Sequence, residues 1–214
     1  ISHDENLRTA AERISLLDLN TMAKDQSGIS ALDIQVQHDI AFDVQKVTEN
    51  FFQDYKDIFE LLQKEFVKQT DDRRWAHDFS LQFLNRTMFV YYVQRKRWLN
   101  DDPDFMVNFW ETYKKFSRPQ DSFVDEWLSV LFFEAFNEKF QKHNPDRAYL
   151  PEKIKHALDE APYLNGGLFK KNELDHKHKA EISDHLFKKI INFFNQYNFT
   201  ISEDTPLDQE VAVD

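Results

Sequence analysis

Residues 43–70, DVQKVTENFFQDYKDIFELLQKEFVKQT, decide the fold of this chain. Large apolar side chains recur in this stretch at steps of three and four residues, at Val44, Val47, Phe51, Tyr55, Ile58, Leu62 and Phe66. That spacing places one apolar stripe along about six turns of an α-helix. Asp43 directly precedes the stripe, and aspartate is a preferred N-cap residue. The stretch therefore predicts a long amphipathic helix that ends near residues 70–72.

Beyond this helix, the pattern predicts two more long helices with a shorter one between them. The second long helix covers roughly residues 73–99, and its middle, 87–93, is apolar on nearly every side, which places it at the centre of the domain. The shorter helix covers 104–117, and the third long helix starts at Asp121 and continues to about Phe140. Helices joined by such short connections pack as antiparallel neighbours.

The C-terminal third of the chain has a different character. We predict a short helix at 151–160, a tight turn at Asn165-Gly166-Gly167 that uses positive φ angles, and a last helix near 183–196. The fold class that follows is all-α, an irregular bundle of about five to seven helices, three of them long. It has a Gly-Gly turn and at most a short extended segment near 199–201.

The composition excludes several other classes of protein. Three glycines and six prolines among 214 residues are too few for the turns of a β-sandwich or barrel, and 21 phenylalanines predict a core built from that residue. Without cysteine there is no disulfide framework, thiolate nucleophile or zinc ribbon. No apolar run approaches the ~20 residues of a membrane span, and no secretory leader is visible, so we expect a cytoplasmic protein without membrane contact. The net charge of −11 leaves only a local basic patch as a means of attracting DNA.

The chain divides into four parts by pattern. Residues 1–41 form an N-terminal helix and loop arm, 42–143 the main helical bundle, and 144–201 a C-terminal helical subdomain with the Asn-Gly-Gly turn. Residues 202–214 form an acidic tail that we expect to lead into a missing downstream domain. Since the first residue is not methionine, we expect a piece of a longer protein.

No motif predicts a catalytic or metal site. The densest group of potential metal ligands, Asp175-His176-Lys177-His178 with its acidic neighbours, contains a lysine that repels cations, and we interpret it as a solvated charged loop. Pro145-Asp146 followed by Asp175-His176-Lys177 fits a loose Mg²⁺-nuclease pattern, but polar, helical flanks favour a chance match. The acid pairs at predicted helix starts, among them Asp71-Asp72, favour helix capping. We therefore predict no catalytic residue and no metal ligand.

One basic run lies within a predicted helix, at Arg95, Lys96 and Arg97 between Tyr92 and Trp98. Cations beside aromatic rings are typical of nucleic-acid contacts, where they pair with phosphates and stack on bases. The same residues also fit the C-terminal end of a helix, where cations complement the dipole and Trp98 is buried. The acidic net charge favours the second interpretation, and the first stays open as a set of DNA-backbone contacts.

Three segments carry a resemblance to a known family. The first runs from Phe42 to Tyr55, and the second is LNRTMFVYYVQRKRWL at 84–99. The third is PYLNGGLF at 162–169, completed by YNFTI at 197–201 and DQEVAVD at 208–214. In that order, they resemble the helical region of large single-chain adenine-specific DNA methyltransferases. These are the type IIG restriction–modification enzymes and the related methylases of phage defence. The resemblance covers roughly residues 42–214.

The resemblance implies a function without a reaction centre. In that family a methylase domain follows the helical region and carries a loop for S-adenosylmethionine and an Asn-Pro-Pro-Tyr motif for the flipped adenine. Neither motif occurs here, so no catalytic residue is transferred and no cofactor is expected in this segment. The implied role is a non-catalytic helical connector or scaffold whose partners are the methyltransferase domain of the same parent chain and, through it, DNA. The alternative is a stand-alone α-helical protein-interaction module with an acidic tail.

Five residues are expected to form a docking turn for that methyltransferase domain: Asn165, Gly166, Gly167, Leu168 and Phe169. A turn that keeps two consecutive glycines in a glycine-poor chain is expected to need room for a close backbone approach.

Overall fold

The structure, a computed structural model, describes residues 34–36, 44–116, 119–164 and 166–197, and the statements below concern this part of the chain. Residues 34–36 are helical, and the α-helices that follow them are α1 Val44–Thr70, α2 Arg73–Arg95, α3 Phe105–Lys115, α4 Glu152–Asp159, α5 Glu173–Lys177 and α6 Asp184–Phe194. Two π-helical segments, Phe123–Leu128 and Leu131–Ala135, and two 3₁₀ turns, Pro145–Arg147 and Gly167–Phe169, complete it. No strand occurs in the described ranges, which confirms the predicted all-α class.

Helices α1 and α2 form an antiparallel hairpin. The Phe66 and Trp75 rings meet near the turn, with centroids 5.6 Å apart, and further along the Tyr55 hydroxyl donates to the Asn85 side chain at 3.3 Å. Asp72 caps α2, because its carboxylate accepts the Trp75 backbone N–H at 3.0 Å. The predicted end of the first helix and the capping role of Asp72 are confirmed.

The apolar stripes of the helices meet in one aromatic core. Leu62 and Phe66 from the quoted stripe have no exposed surface, and Val90 and Tyr91 from the predicted central segment are equally enclosed. The largest fully buried side chains include these aromatic residues: Trp75, Tyr91, Phe109, Phe123, Trp127, Phe136, Phe169, Phe187 and Phe194. Each contributes roughly 1.5–3 kcal/mol of hydrophobic free energy when fully buried. The predicted phenylalanine core is confirmed.

The third predicted long helix is shorter and wider than expected. From Phe123 to Ala135 most of its backbone hydrogen bonds join residues five apart, as in Phe136 N–H to Leu131 C=O at 3.0 Å. It ends at Ala135 instead of continuing to Phe140, and the Phe136 carbonyl accepts the N–H of Leu164 at 2.8 Å. The end of this helix is therefore joined to the segment that contains the Gly-Gly sequence.

The segment at 170–180 is not the solvated loop that its charges predict. It contains α5, which begins with a capping box between Asn172 and Asp175. The Trp75 indole N–H donates to the Leu174 carbonyl at 2.9 Å, and Lys177 pairs with Asp72 at 2.7 Å. These contacts hold the segment against α2, so the prediction of a loop is wrong, whereas His176, Lys177 and Lys179 are exposed as the solvated interpretation expects.

Several predictions lie outside the described residues. They concern Asp43, most of the N-terminal arm, the extended segment near 199–201 and the acidic tail at 202–214. The domain boundaries likewise stay predictions. None of the helices described here combines the length and the apolar character that crossing a membrane requires.

Candidate docking loop and basic turn

The three segments that carry the family resemblance contact one another in the fold. The Tyr55 hydroxyl of the first bonds to Asn85 of the second at 3.3 Å, and the Phe89 ring of the second lies 5.7 Å from that of Phe169 in the third. Phe51 of the first segment meets Tyr197 edge-on at 5.0 Å. Residues far apart in the sequence therefore form one continuous packing unit around α2.

Arg86 of the second segment joins it to the third through a hydrogen bond to Leu168 and to α5 through a buried ion pair with Asp175. The Arg86 side chain is 2% exposed and the Asp175 side chain 7%, and the guanidinium donates to both carboxylate oxygens, at 2.6 and 2.9 Å. Arg86 also donates to the backbone carbonyls of Leu168 at 2.7 Å and Lys170 at 3.2 Å. One side chain on α2 thus holds the backbone after the two glycines at two places, the carbonyls of Leu168 and Lys170. We call this arrangement the Arg86 clamp.

The clamp keeps Asp175 ionised and occupied. Burial by itself raises the pKa of Asp175. Hydrogen bonds from Arg86 and from the Asn172 backbone N–H lower the pKa by a larger amount, so it lies below the usual range of an aspartate. Gln82 donates to the same carboxylate at 3.2 Å. Both carboxylate oxygens therefore have protein donors. Among the described residues no group of three or more His, Asp or Glu side chains is arranged to hold a metal ion.

The loop at 162–169, which we call the docking loop, is anchored at both ends. At its start the Leu164 N–H donates to Phe136, and at its end Phe169 is buried. The Phe169 ring lies 4.8 Å from that of Phe136 and 5.5 Å from that of Phe132. Between the anchors Gly166 and Gly167 are exposed, and Tyr163, directly before Leu164, is 63% exposed. The fold therefore exposes the two glycines while fixing Leu164 and Phe169.

Nothing in the described chain requires glycine at the two glycine positions. Gly166 has φ −125° and ψ 148°, ordinary extended backbone, and Gly167 also lies outside the left-handed region. A Cβ atom added at either position would meet no atom within 4 Å. The predicted positive φ is therefore wrong at both positions, because the anchors at Leu164 and Phe169 set an open path for the backbone. Asn165 lies outside the described residues, and Leu168 packs partly against the core. The docking role of these residues stays a prediction.

The basic run forms the C-terminal end of α2 and the turn that follows, 96–101, which we call the basic turn. Arg95 is the last residue of the helix. The Arg97 N–H donates to the Gln94 carbonyl at 2.9 Å and the Trp98 N–H to the Val93 carbonyl at 3.2 Å, which is the Schellman pattern. The interpretation of the basic run as a helix C-terminus is confirmed, although the helix ends at Arg95 rather than near residue 99. The predicted burial of Trp98 is wrong, because the turn directs Leu99 into the core and leaves Trp98 48% exposed.

Arg86, which organises this site, was not among the predicted site residues. Asp175, considered from its pattern as a metal ligand or nuclease carboxylate, is instead the partner of Arg86. One signal was available, since Arg86 lies between the buried residues Leu84 and Thr87, next to the apolar middle of α2. A charged side chain at such a position needs a buried partner.

Comparison with known proteins gives one informative similarity. A protein of Methanocaldococcus jannaschii, named as a candidate type II restriction enzyme and methyltransferase, is 29% identical to this chain over 125 residues. The matched region is 58% of this chain and 10% of that protein, so the chain corresponds to a small part of its relative. No family model matches the chain, and no solved structure matches it. The chain is thus similar to part of a protein named for restriction and modification of DNA.

Proposed function

We propose that this chain is a non-catalytic helical connector of an adenine-specific DNA methyltransferase in a restriction–modification or phage-defence system. The similarity to part of a restriction–modification relative supports the enzyme class. The observation that carries the connector role is the packing of the three segments that carry the family resemblance: they contact one another, and Arg86 of the second holds the backbone of the third. In this proposal the segments form a support, and the chemistry belongs to a site on another domain of the parent chain.

The docking loop is the surface that we assign to the methyltransferase domain. Its ends are held by Leu164, Phe169 and the Arg86 clamp, while Tyr163 and both glycines face outward. Rigid ends lower the entropy lost when a partner binds, and a surface without Cβ atoms lets a second backbone approach closely. The open space at both glycine positions supports an occupant from outside the described residues.

Arg95, Lys96 and Arg97 are the residues that we assign to the DNA backbone. They lie at the end of α2, whereas the docking loop packs near the middle of that helix at Phe89. A rigid helix therefore separates the two proposed contacts. In this proposal α2 fixes the methyltransferase domain relative to the DNA, and S-adenosylmethionine is bound by that domain alone.

The test compares the whole gene product that contains this sequence with the 214-residue chain. Transfer of a tritiated methyl group from S-adenosylmethionine to adenine in DNA is measured for both proteins. We expect transfer by the gene product and none by the chain. Methyl transfer by the chain itself contradicts the connector role, and a gene product that leaves adenine unmodified contradicts the enzyme class.

A further inference from the structure

A cavity of about 280 Å³ lies between α2, the two π-helical segments and residues 171–182. Four phenylalanine side chains line it: Phe79, Phe83, Phe132 and Phe133. Phe83 and Phe132 are buried, which places them at its inner end. Pockets for small ligands usually measure roughly 300–1,000 Å³ and have mainly apolar walls with a few polar groups. The cavity is near the lower end of that range, so it suits one flat ring rather than a long chain.

The backbone of one wall gives a second indication of a binding site. The π-helical segments Phe123–Leu128 and Leu131–Ala135 supply four lining residues: Val124, Asp125, Phe132 and Phe133. π-helical turns are rare, and they occur frequently at functional sites. Here two of them follow each other along the same cavity.

The charged groups in and near the cavity almost balance. Arg86 and Asp175 pair with each other, and His178 contacts Asp72. The remaining groups are two lysines and one acid of the lining, together with two acids that repel it: Lys171, Lys179, Asp125, Glu126 and Glu181. The sum is within one charge of neutrality. The cavity therefore suits an uncharged ligand, which its polar groups would hold by hydrogen bonds.

Two polar groups of the lining have hydrogen-bonding capacity to spare. Asp125 is exposed at the mouth of the cavity, and no described residue donates a hydrogen bond to its carboxylate. Arg86 has five N–H donors, and the clamp uses four of them. Because Arg86 is only 2% exposed, water has little access to the fifth. The cavity thus offers a pair of acceptors at its mouth and a donor in its interior.

We infer that this cavity binds a guanine base. Among the common nucleobases only guanine has two adjacent N–H donors on one edge, at N1 and at the 2-amino group, and these match the two oxygens of an ionised carboxylate. Its O6 and N7 atoms are acceptors of the kind that arginine recognises. Asp125 accepts from N1 and the 2-amino group, Arg86 donates to O6 or N7, and the phenylalanine side chains cover the ring. The inference goes beyond the proposed function and does not rest on it.

The experiment measures binding of tritiated guanosine to the full 214-residue chain by equilibrium dialysis. We expect saturable binding to one site. Inosine lacks the 2-amino group and should bind at least about tenfold more weakly, because one hydrogen bond to a charged acceptor is lost. Adenosine has no adjacent donor pair and should bind more weakly than guanosine. An oligothymidine with a single internal guanine identifies the source of the base: tighter binding than guanosine indicates a nucleic-acid strand, and weaker binding indicates a free nucleoside.

One variant separates a binding role of Asp125 from a structural one. Asp125→Asn replaces one acceptor by a donor, so guanosine should bind at least about tenfold more weakly and lose most of its advantage over inosine. Its melting temperature should not fall, because burial of the Asp125 carboxylate disfavours the ionised form. Glu138→Gln is the matched control, since Glu138 is an exposed acid soon after the second π-helical segment and does not line this cavity. It should bind guanosine like the unchanged chain.

Four results would overturn the inference. They are no saturable binding of guanosine up to its limit of solubility, equal or tighter binding of adenosine, unchanged affinity in Asp125→Asn, and tighter binding of N-acetylarginine amide. The last compound has the same pair of adjacent N–H donors without a base, and its preference would make the cavity a socket for a partner's arginine. Methyl transfer by the gene product is measured separately, so these results leave the proposed function untouched.

Discussion

The Arg86 clamp gives the sharpest test of how this fold is held together. Replacing Arg86 by leucine leaves the Asp175 carboxylate, whose side chain is 7% exposed, without its cationic partner. It also leaves the Leu168 and Lys170 carbonyls without a donor. Breaking a buried ion pair from one side destabilises a protein by about 3–5 kcal/mol. Because domains are stable by only about 5–15 kcal/mol, Arg86→Leu should remove a large part of the free energy of unfolding.

A double-mutant cycle separates the ion pair from general packing. Asp175→Asn keeps an acceptor for the Asn172 cap and for Arg86, so it should cost about 1–3 kcal/mol. The double variant Arg86→Leu with Asp175→Asn buries no uncompensated charge, so its loss should be smaller than the sum of the two single losses by more than about 1 kcal/mol. Arg86→Lys should not restore stability, because one ammonium cannot replace four directed hydrogen bonds.

The assay is urea unfolding followed by circular dichroism at pH 7 for the four proteins of the cycle. The free energies of unfolding give the coupling directly. The reasoning is refuted if Arg86→Leu costs less than about 1 kcal/mol, or if the two single losses simply add.

Two other predictions concern the core and pH. Phe169→Ala should lower the free energy of unfolding by about 3–5 kcal/mol, because Phe169 is 1% exposed and packs against Phe132 and Phe136. Tyr163→Ala, at an exposed position of the same loop, should change it by less than about 0.5 kcal/mol. Equal losses of the two variants in urea unfolding would contradict the anchoring role of Phe169. Asp125→Asn should stabilise the chain at neutral pH, since burial and then repulsion by Glu181 raise the pKa of Asp125 and disfavour its ionised form in the folded state. The folded state binds the Asp125 proton more tightly than the unfolded state, so this gain should vanish as pH falls below the usual aspartate pKa; a gain in melting temperature that persists at low pH would be evidence against this cause.

Periodicity was sufficient for the helices and for much of the core. The burial of Leu62 and Phe66 could be predicted from their own helix alone, because a helix with one apolar side must bury that side. The end of α2 was predicted less closely, near residue 99, because a turn that begins after Arg95 replaces the last helical turn. Local patterns predict local structure well where side-chain burial and backbone preference agree.

The site depends on contacts that no local pattern contains. Arg86 and Asp175 are 89 residues apart in the sequence. The charges around Asp175 predict a solvated segment, because the local sequence does not show that Arg86 lies beside it in the fold. The prediction of positive φ at the two glycines was wrong for a related reason. Their backbone angles are set by the anchors at Leu164 and Phe169 rather than by the Asn-Gly-Gly sequence. The exposure of Trp98 likewise depends on which residue after the helix enters the core.

The central claim is that the docking loop holds the methyltransferase domain, and one variant tests it directly. Gly166 has extended backbone angles that suit valine, and a Cβ there meets nothing within 4 Å, so Gly166→Val should leave the stability of the 214-residue chain unchanged. In the whole gene product the same side chain should obstruct the partner backbone and lower methyl transfer to adenine at least tenfold. Lys64→Val on the exposed face of α1 serves as the control and should leave transfer intact. Full methyl transfer by Gly166→Val, equal to that of the control, would contradict the account.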